Sequence, residues 1–221
     1  MSASKSFLRF SLAFVCLLVM VLVISGCQKK EGEAAKPEIA QQVAASSLSM
    51  ENLKTAYAAS AKNIDWYDKF SKQAQKENLG DIAVLFKALA RSEKVHADMF
   101  ATLLKTKGVE VTAPAAEPLP AGKARQYLKR AASSEAVEQS VLATYEKVAT
   151  DEQFPEAAEL FRRSRGADER HARLLGRAIE METNFARLPY VMCPECGYIV
   201  GSDKMDSCLV CKSPKEKFQK I

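Results

Sequence analysis

Four segments of the chain carry apolar residues at helical spacing, with polar residues between them. The apolar stripes run through residues 53–74, 82–103, 128–148 and 157–179. Residues three or four positions apart share one face of an α-helix, so each stripe predicts an amphipathic helix with one buried side. The pattern therefore predicts a core built from four helices.

The breaks between the stripes indicate how the helices are connected. Asn78-Leu79-Gly80 interrupts the pattern after the first stripe, and Phe154-Pro155 marks a turn before the fourth. Residues 109–121 hold three prolines and cannot be helical throughout, so they form a long crossover between two hairpins. This is the connectivity of ferritin-like four-helix bundles, and it predicts an all-α domain over residues 48–184.

The two predicted hairpins resemble each other at an offset of 75 residues. The only two histidines of the chain, His96 and His171, are related by this offset, and so are several apolar residues. The matched apolar pairs are Leu53 and Leu128, Tyr67 and Leu142, Ala74 and Ala149, Phe86 and Phe161, and Ala97 and Ala172. A repeat at one fixed offset indicates that a helical hairpin was duplicated.

Each histidine follows a carboxylate by three residues, as Glu93 with His96 and Asp168 with His171. Positions i and i+3 lie on one helical face, so both side chains of a pair can reach one metal ion. Both pairs interrupt an apolar stripe, where an unpaired carboxylate costs several kcal/mol that a metal can offset. A single histidine on an apolar face is usually a core residue, but two such pairs related by a repeat favour a di-iron or di-manganese site.

The third helix adds Glu135 and Glu138 at the same i, i+3 spacing, although Glu138 could simply face water. The first helix breaks the pattern, because Ser60 and Asn63 occupy the matching positions. The remaining candidate ligands are four carboxylates and two histidines: Glu93, His96, Glu135, Glu138, Asp168 and His171. Four carboxylates can neutralise two divalent ions, so a dinuclear site is feasible, and a single or weakly bound second metal is the alternative.

A second metal motif lies near the C-terminus, within a predicted small domain over residues 188–221. Cys193, Cys196, Cys208 and Cys211 form two C-x2-C pairs separated by eleven residues. Two such knuckles direct four thiolates at one ion. The spacing does not distinguish structural zinc from redox-active iron, and two disulfides are a further alternative in an exported chain.

The N-terminus predicts export and lipid attachment. Lys5 and Arg9 precede an apolar run over residues 10–24, and Ile24-Ser25-Gly26-Cys27 resembles a bacterial lipobox. The run is short for a membrane-spanning helix and suits a signal peptide over residues 1–27, with an uncleaved anchor as the alternative. Residues 28–47 are poor in large apolar side chains and predict a flexible tether. We therefore expect a protein anchored through Cys27 to the outer side of a bacterial membrane.

Composition narrows the remaining possibilities. The chain has 221 residues, enough for one ordinary domain plus a small one, and a net charge of +5. Basic and acidic residues are interspersed, which argues against a nucleic-acid-binding stripe. The sequence contains no glycine-rich dinucleotide fingerprint, so it gives no indication of a nicotinamide cofactor or of the electron donor.

Several of these motifs together resemble the rubrerythrin family over about residues 50–221. The similar segments are Asn52-Leu53 with Ala56-Tyr57-Ala58, the run Ser92-Glu93-Lys94-Val95-His96-Ala97, the knuckle from Cys193 to Tyr198, and Pro214-Lys215 with Phe218. Gly197 and Tyr198 resemble rubredoxin and favour iron at the four cysteines, whereas Leu209 and Lys212 replace residues often seen there and keep zinc open.

The resemblance implies a ferritin-like bundle with a rubredoxin-like domain and a di-iron site that reduces hydrogen peroxide. In that reading the iron centre at the four cysteines supplies electrons, and a homodimer often brings the tail of one subunit to the bundle of the other. By position, Glu93, His96, Glu135, Glu138, Asp168 and His171 match the family's ligands. Ser60 stands where the family has a glutamate, and Asp168 is a shorter replacement for one.

Two other functions remain open on the sequence alone. The first is a metal-binding or storage protein with a structural zinc knuckle and no turnover, which the missing carboxylate at Ser60 favours. The second is an electron carrier or interaction module whose bundle site is vestigial.

Overall fold

A computed structural model describes residues 47–181, 184–201 and 205–221. Four long helices are followed by a small three-stranded sheet. The helices are α1 (Leu48–Lys76), α2 (Gly80–Thr106), α3 (Ala124–Asp151) and α4 (Pro155–Met181). The predicted signal peptide, Cys27 and nearly all of the predicted tether lie outside the described residues. Within the described part of the chain, none of the helices has a stretch long and apolar enough to cross a membrane.

Local sequence explains where the helices begin and end. The Ser47 side chain accepts a hydrogen bond from the Met50 amide and caps α1, as serine does at many helix N-termini. Asn78 and Gln153, both with positive φ, end the first and third helices, and Gly108 does the same after α2. Pro155 opens α4, where a missing amide hydrogen costs nothing.

The helices pack as two hairpins, α1 with α2 and α3 with α4. Residues 109–121 form the non-helical crossover that the prolines predict. The core of the bundle has two apolar clusters, one around Phe70, Phe86 and Leu128 and the other around Leu53 and Phe161. The buried polar residues of the predicted metal site, Glu93 and His171 among them, belong to neither cluster.

The C-terminal segment forms a small antiparallel sheet in the order β2-β1-β3. Its strands are β1 (Val191–Met192), β2 (Ile199–Val200) and β3 (Gln219–Lys220), and a single 3-10 turn at Lys215–Lys217 precedes β3. Val191 pairs with both Val200 and Lys220, so β1 is the central strand. A separate apolar cluster contains three of the four cysteines together with Ala167 of α4, which places this sheet against the fourth helix.

Candidate metal centres

Three helices bring carboxylates and histidines together inside the bundle. Ligand atoms of Glu93 from α2, Glu135 from α3, and Asp168 and His171 from α4 all lie within 4.8 Å of one another. Each of these four residues is at most 1 % exposed. The i, i+3 spacing of Asp168 and His171 places both on the buried face of α4, as their sequence pattern predicts. This group of side chains could hold a metal ion.

His96 lies at the edge of this group. Its Nδ1 atom is 3.5 Å from Glu93 Oε2 and 3.6 Å from Asp168 Oδ1, and its ring stacks on that of His171 with centroids 6.0 Å apart. Its Nε2 atom is 3.1 Å from the carbonyl oxygen of Cys196. Because a carbonyl oxygen only accepts, this contact places a proton on Nε2, so Nδ1, which lies next to the two carboxylates, is the atom that a metal would bind.

The electrostatics of the group favour a bound cation. Burial, followed by repulsion from neighbouring carboxylates, raises the pKa of Glu135 and of Asp168 well above their ordinary values. Burial alone would raise the pKa of Glu93, but the neighbouring His96, with Nδ1 3.5 Å from Glu93 Oε2, outweighs it, so the pKa of Glu93 is lowered. Burial lowers the pKa of His171 to about 4, which keeps the imidazole neutral and able to ligate.

Unpaired oxygen atoms provide the clearest test of whether a metal fits. Both carboxylate oxygens of Glu93 and Oδ1 of Asp168 are buried, and no hydrogen-bond partner for them exists among the described residues. Buried polar atoms are nearly always paired with protein, water or an ion. A divalent cation would satisfy these oxygens and neutralise the charge that the apolar surroundings disfavour.

Glu138 stands apart from the compact group. The Asn63 side-chain amide donates to both of its carboxylate oxygens, at 2.8 and 3.0 Å, and the Ser134 hydroxyl donates at 2.8 Å. Burial, with repulsion from Glu93 and Glu135, raises its pKa to about 8. Asn63 and Glu138 are related by the 75-residue offset, so equivalent positions of the two hairpins meet each other here.

The first helix supplies no carboxylate to this group. Ser60 is buried and lines a small cavity next to His96 and Asp168. Asp65 and Asp68 pair instead with Lys69 and Lys87 on the partly exposed outer side of the bundle. Neither aspartate replaces the missing glutamate, in agreement with their positions on the helical pattern.

Tyr67 is a contributor that the sequence pattern did not identify as part of the site. Its hydroxyl donates to Glu135 Oε1 at 2.7 Å, and its ring is fully buried beside Phe86. Burial and the neighbouring Glu135 raise the pKa of this hydroxyl well above its ordinary value, so it remains a donor. The bond fixes one oxygen of Glu135 and leaves the other, Oε2, 3.3 Å from His171 Nδ1.

The four cysteines form the second candidate metal centre. All four Sγ atoms lie within 4.8 Å of one another, and the closest pairs, Cys193 with Cys211 and Cys196 with Cys208, are 3.5 Å apart. These distances are too long for disulfides, and all four residues are free thiols. Hydrogen bonds within the cluster lower the pKa of the Cys208 thiol, whereas hydrogen bonds and burial raise the pKa of the Cys193 and Cys196 thiols, so a bound cation would be needed to hold all four as thiolates.

The cysteine centre is attached directly to the helix that carries Glu93 and His96. The Ser92 hydroxyl donates to the Gly197 carbonyl oxygen at 2.6 Å, beside the His96–Cys196 contact. Gly197 has a φ of +74°, and a Cβ atom there would lie 2.8 Å from His96 Nε2 and would also collide with the Ser92 hydroxyl. Only glycine fits this position, because both the backbone conformation and the space exclude a side chain.

Comparison with known proteins agrees with this architecture. The rubrerythrin family model matches residues 51–179. A rubrerythrin of Clostridium perfringens is 32% identical over 180 residues, covering 76% of this chain and 92% of the relative. A rubrerythrin of Porphyromonas gingivalis is 30% identical over 178 residues, covering 76% and 87%. A solved structure of nigerythrin in a mixed-valence state has 27% identity and a TM-score of 0.73, covering 78% of this chain and 86% of that one.

The fold and its two groups of ligands define a ferritin-like bundle with a rubredoxin-like knuckle of four cysteines, the architecture of a non-haem iron protein. The chain belongs to the rubrerythrin family. The donor sets fit iron at the carboxylate–histidine group and iron or zinc at the four cysteines.

Proposed function

We propose that this protein is a peroxide reductase that uses non-haem iron at both centres. The observation that carries the proposal is the single hydrogen bond between His96 Nε2 and the Cys196 carbonyl oxygen. It joins a residue beside the carboxylate group to the backbone of a cysteine in the knuckle. Two centres so closely linked are suited to the transfer of electrons from one to the other.

The reaction consumes two electrons and two protons and converts one hydrogen peroxide into two water molecules. Iron held in the bundle would supply the two electrons, and iron held by the four cysteines would supply the replacements one at a time. Glu93, Glu135, Asp168 and His171 would hold the metal in the bundle, with His96 presenting Nδ1 at its edge. The apolar clusters on the bundle helices keep bulk water away from this group.

The experiment is peroxide-dependent oxidation of anaerobically reduced, iron-loaded protein, followed through the visible spectrum and through peroxide consumption. We expect Asp168→Asn to abolish turnover. The matched control is Glu169→Gln, the next residue on α4, whose carboxylate is 3.2 Å from Arg165 and away from the group. Equal loss in both variants, or no peroxide consumption by the wild-type protein, would contradict the proposal.

A metal-binding or storage function is the second candidate, and the first helix favours it. Ser60 brings no carboxylate to the group, and Asn63 binds both oxygens of Glu138. Under this alternative the bundle binds metal without turnover and the knuckle holds zinc as a structural ion. Iron and zinc content of the purified protein, with its visible spectrum, separates the two functions, because zinc at four thiolates is colourless.

We also propose that the protein is attached to the outside of a bacterial membrane through Cys27. The support is the order of basic residues, apolar run and lipobox in residues 5–27. The Cys27→Ala variant is expected to accumulate as an unprocessed precursor. A mature N-terminus at any other residue would contradict the proposal.

A further inference from the structure

A small cavity lies beside the carboxylate–histidine group, on the side where the first helix provides only serine. Its volume is about 40 Å³, and its lining includes Ser60, Ser164, His96 and Asp168. Thr55, Glu138 and Tyr145 also line it, and apolar side chains, among them Leu142, form the rest of the wall. The lining also includes Val141, which is 36% exposed, so the cavity extends towards the protein surface.

The size of the cavity restricts what it can hold. A cavity volume of about 10–15 Å³, measured in the same way, accommodates one water molecule. A cavity of 40 Å³ therefore accommodates a ligand of two or three non-hydrogen atoms. Hydrogen peroxide meets this limit, whereas an alkyl hydroperoxide with four carbon atoms would have to displace side chains of the wall.

The polar atoms of the wall match the same ligand. Ser164 is 1% exposed, and its hydroxyl has no hydrogen-bond partner within the described ranges. Ser60, on the facing helix α1, brings a second hydroxyl to the wall. A hydroxyl both donates and accepts a hydrogen bond, as hydrogen peroxide does, so each can satisfy the other.

Resting on the function proposed above, we propose that this cavity is the peroxide-binding pocket, that Ser164 binds the peroxide by a hydrogen bond, and that Leu142 limits the substrate to the size of hydrogen peroxide. Ser60 is then part of the pocket. A glutamate at position 60 would extend into space that the substrate needs.

The size limit is tested by enlarging the pocket. We expect Leu142→Ala to raise kcat/KM for tert-butyl hydroperoxide relative to hydrogen peroxide by about tenfold or more, because the removed side chain leaves room for the alkyl group. The matched control is Leu104→Ala, since Leu104 is buried in the same apolar cluster as Leu142 but does not line the pocket. An equal ratio in the two variants would overturn the size limit.

The hydrogen bond is tested by Ser164→Ala. We expect the KM for hydrogen peroxide to rise about tenfold, because the variant loses one hydrogen bond to the substrate. The value of kcat should change less. Ser49→Ala is the control, because Ser49 is a buried serine on α1 that does not line the pocket. An unchanged KM for Ser164→Ala would overturn the role of Ser164.

Azide binding gives a readout that does not depend on turnover. Azide has three atoms and fits the size limit, so we expect it to bind the oxidised, iron-loaded protein and Ser164→Ala to weaken its binding by a similar factor, with Ser49→Ala unchanged. A wild-type protein that binds azide in this way but does not consume peroxide would contradict the proposed function and leave the pocket supported. A protein that consumes peroxide while all variants bind azide equally would contradict the pocket alone.

Discussion

The bundle and the knuckle obtain their ligands in opposite ways. In the bundle, Glu93, Glu135 and His171 come from three helices that two apolar clusters already hold together. In the knuckle, two short turns supply all four ligands, and three of the cysteines are themselves members of the apolar cluster. The bundle therefore has an apolar core that contains no metal ligand, whereas three of the seven buried residues in the cluster at the knuckle are candidate metal ligands. A metal ion would therefore be an addition to an existing core in the bundle and a part of the core in the knuckle.

Metal removal should separate the two regions most strongly. Metal binding contributes about 10–16 kcal/mol to small cysteine-rich domains near neutral pH. We expect Cys208→Ser to abolish hydrogen-exchange protection over residues 190–221 and to leave α2 protected, as measured by mass spectrometry. Ser213→Ala is the control, because it removes only the hydroxyl 3.3 Å from Cys211 Sγ. Loss of protection in both regions together would show that the bundle also depends on the knuckle metal.

The next largest effect should follow from Gly197→Ala. The positive φ and the collision with Ser92 predict that the free energy of unfolding falls by about 1–3 kcal/mol. We also expect the knuckle to detach from α2. Gly176→Ala is the matched control, since Gly176 lies in α4 and a Cβ there would meet nothing within 4 Å. It should leave stability unchanged or raise it by up to about 1 kcal/mol. Thermal unfolding and exchange at β1 and β2 measure both effects, and similar outcomes for the two variants would contradict the prediction.

The metal-free bundle should respond to pH through Glu138. Burial raises its folded-state pKa to about 8, so the folded protein holds a proton that the unfolded chain releases near its ordinary pKa. Its contribution to stability is therefore complete below about pH 4.3 and is lost as the pH rises towards 8. We expect Glu138→Gln to reduce this loss by about 1–3 kcal/mol, measured by denaturant unfolding of metal-free protein at pH 5 and pH 8.

The bound metal provides the control for this pH dependence. Cations in the group would favour the charged carboxylate, so loaded protein should show a smaller loss of stability between pH 5 and pH 8. If stability falls equally with pH in metal-free wild-type and Glu138→Gln protein, Asn63 and Ser134 already stabilise the charged carboxylate of Glu138.

The smallest effect should come from the contact between α4 and the knuckle, where Arg162 meets Val210. Hydrogen bonds from Arg162, followed by Arg163, lower the pKa of Glu159 to about 2, and Arg162 also reaches the Val210 carbonyl oxygen of the knuckle. Stability from this carboxylate is present above its unfolded pKa and is lost as the pH falls towards 2. Because the ion pairs are part-exposed, Glu159→Gln should cost at most about 1 kcal/mol at pH 7 and nothing at pH 2, by chemical denaturation. A larger loss of stability at pH 7 would mean that the contact between Arg162 and Val210, and not only the one at Gly197, attaches the knuckle to the bundle.

Much of the fold follows from local signals in the sequence. The four stripes place the helices, the prolines of residues 109–121 place the crossover, and the C-x2-C spacing places the knuckle, because helical period, backbone restriction and ligand spacing are short-range properties. The spacing of a carboxylate three residues before each histidine likewise identifies the buried faces of α2 and α4. Spacing alone makes Glu138 a candidate ligand alongside Glu135, and only the structure shows that Asn63 and Ser134 bind its carboxylate.

The contacts that depend on packing between distant segments could not be read from the sequence. Tyr67 looks like one more apolar residue of its stripe until α1 and α3 bring its hydroxyl to Glu135. Ser92 and Gly197 are 105 residues apart, and no local pattern pairs them. A signal was present at Gly197, since a glycine next to a metal ligand indicates a close approach of the backbone, but it did not identify α2 as the neighbour.

The contact between Ser92 and Gly197 joins two segments of one polypeptide, which bears on how the protein behaves at low concentration. Two groups tethered on one chain meet at an effective concentration set by the connecting segment, commonly in the millimolar range for a short flexible one. Their association is then insensitive to dilution. We therefore predict that a single copy keeps its two centres joined, whereas a contact between separate copies would be lost on dilution. A turnover number that stays constant over a wide range of protein concentrations would support this prediction.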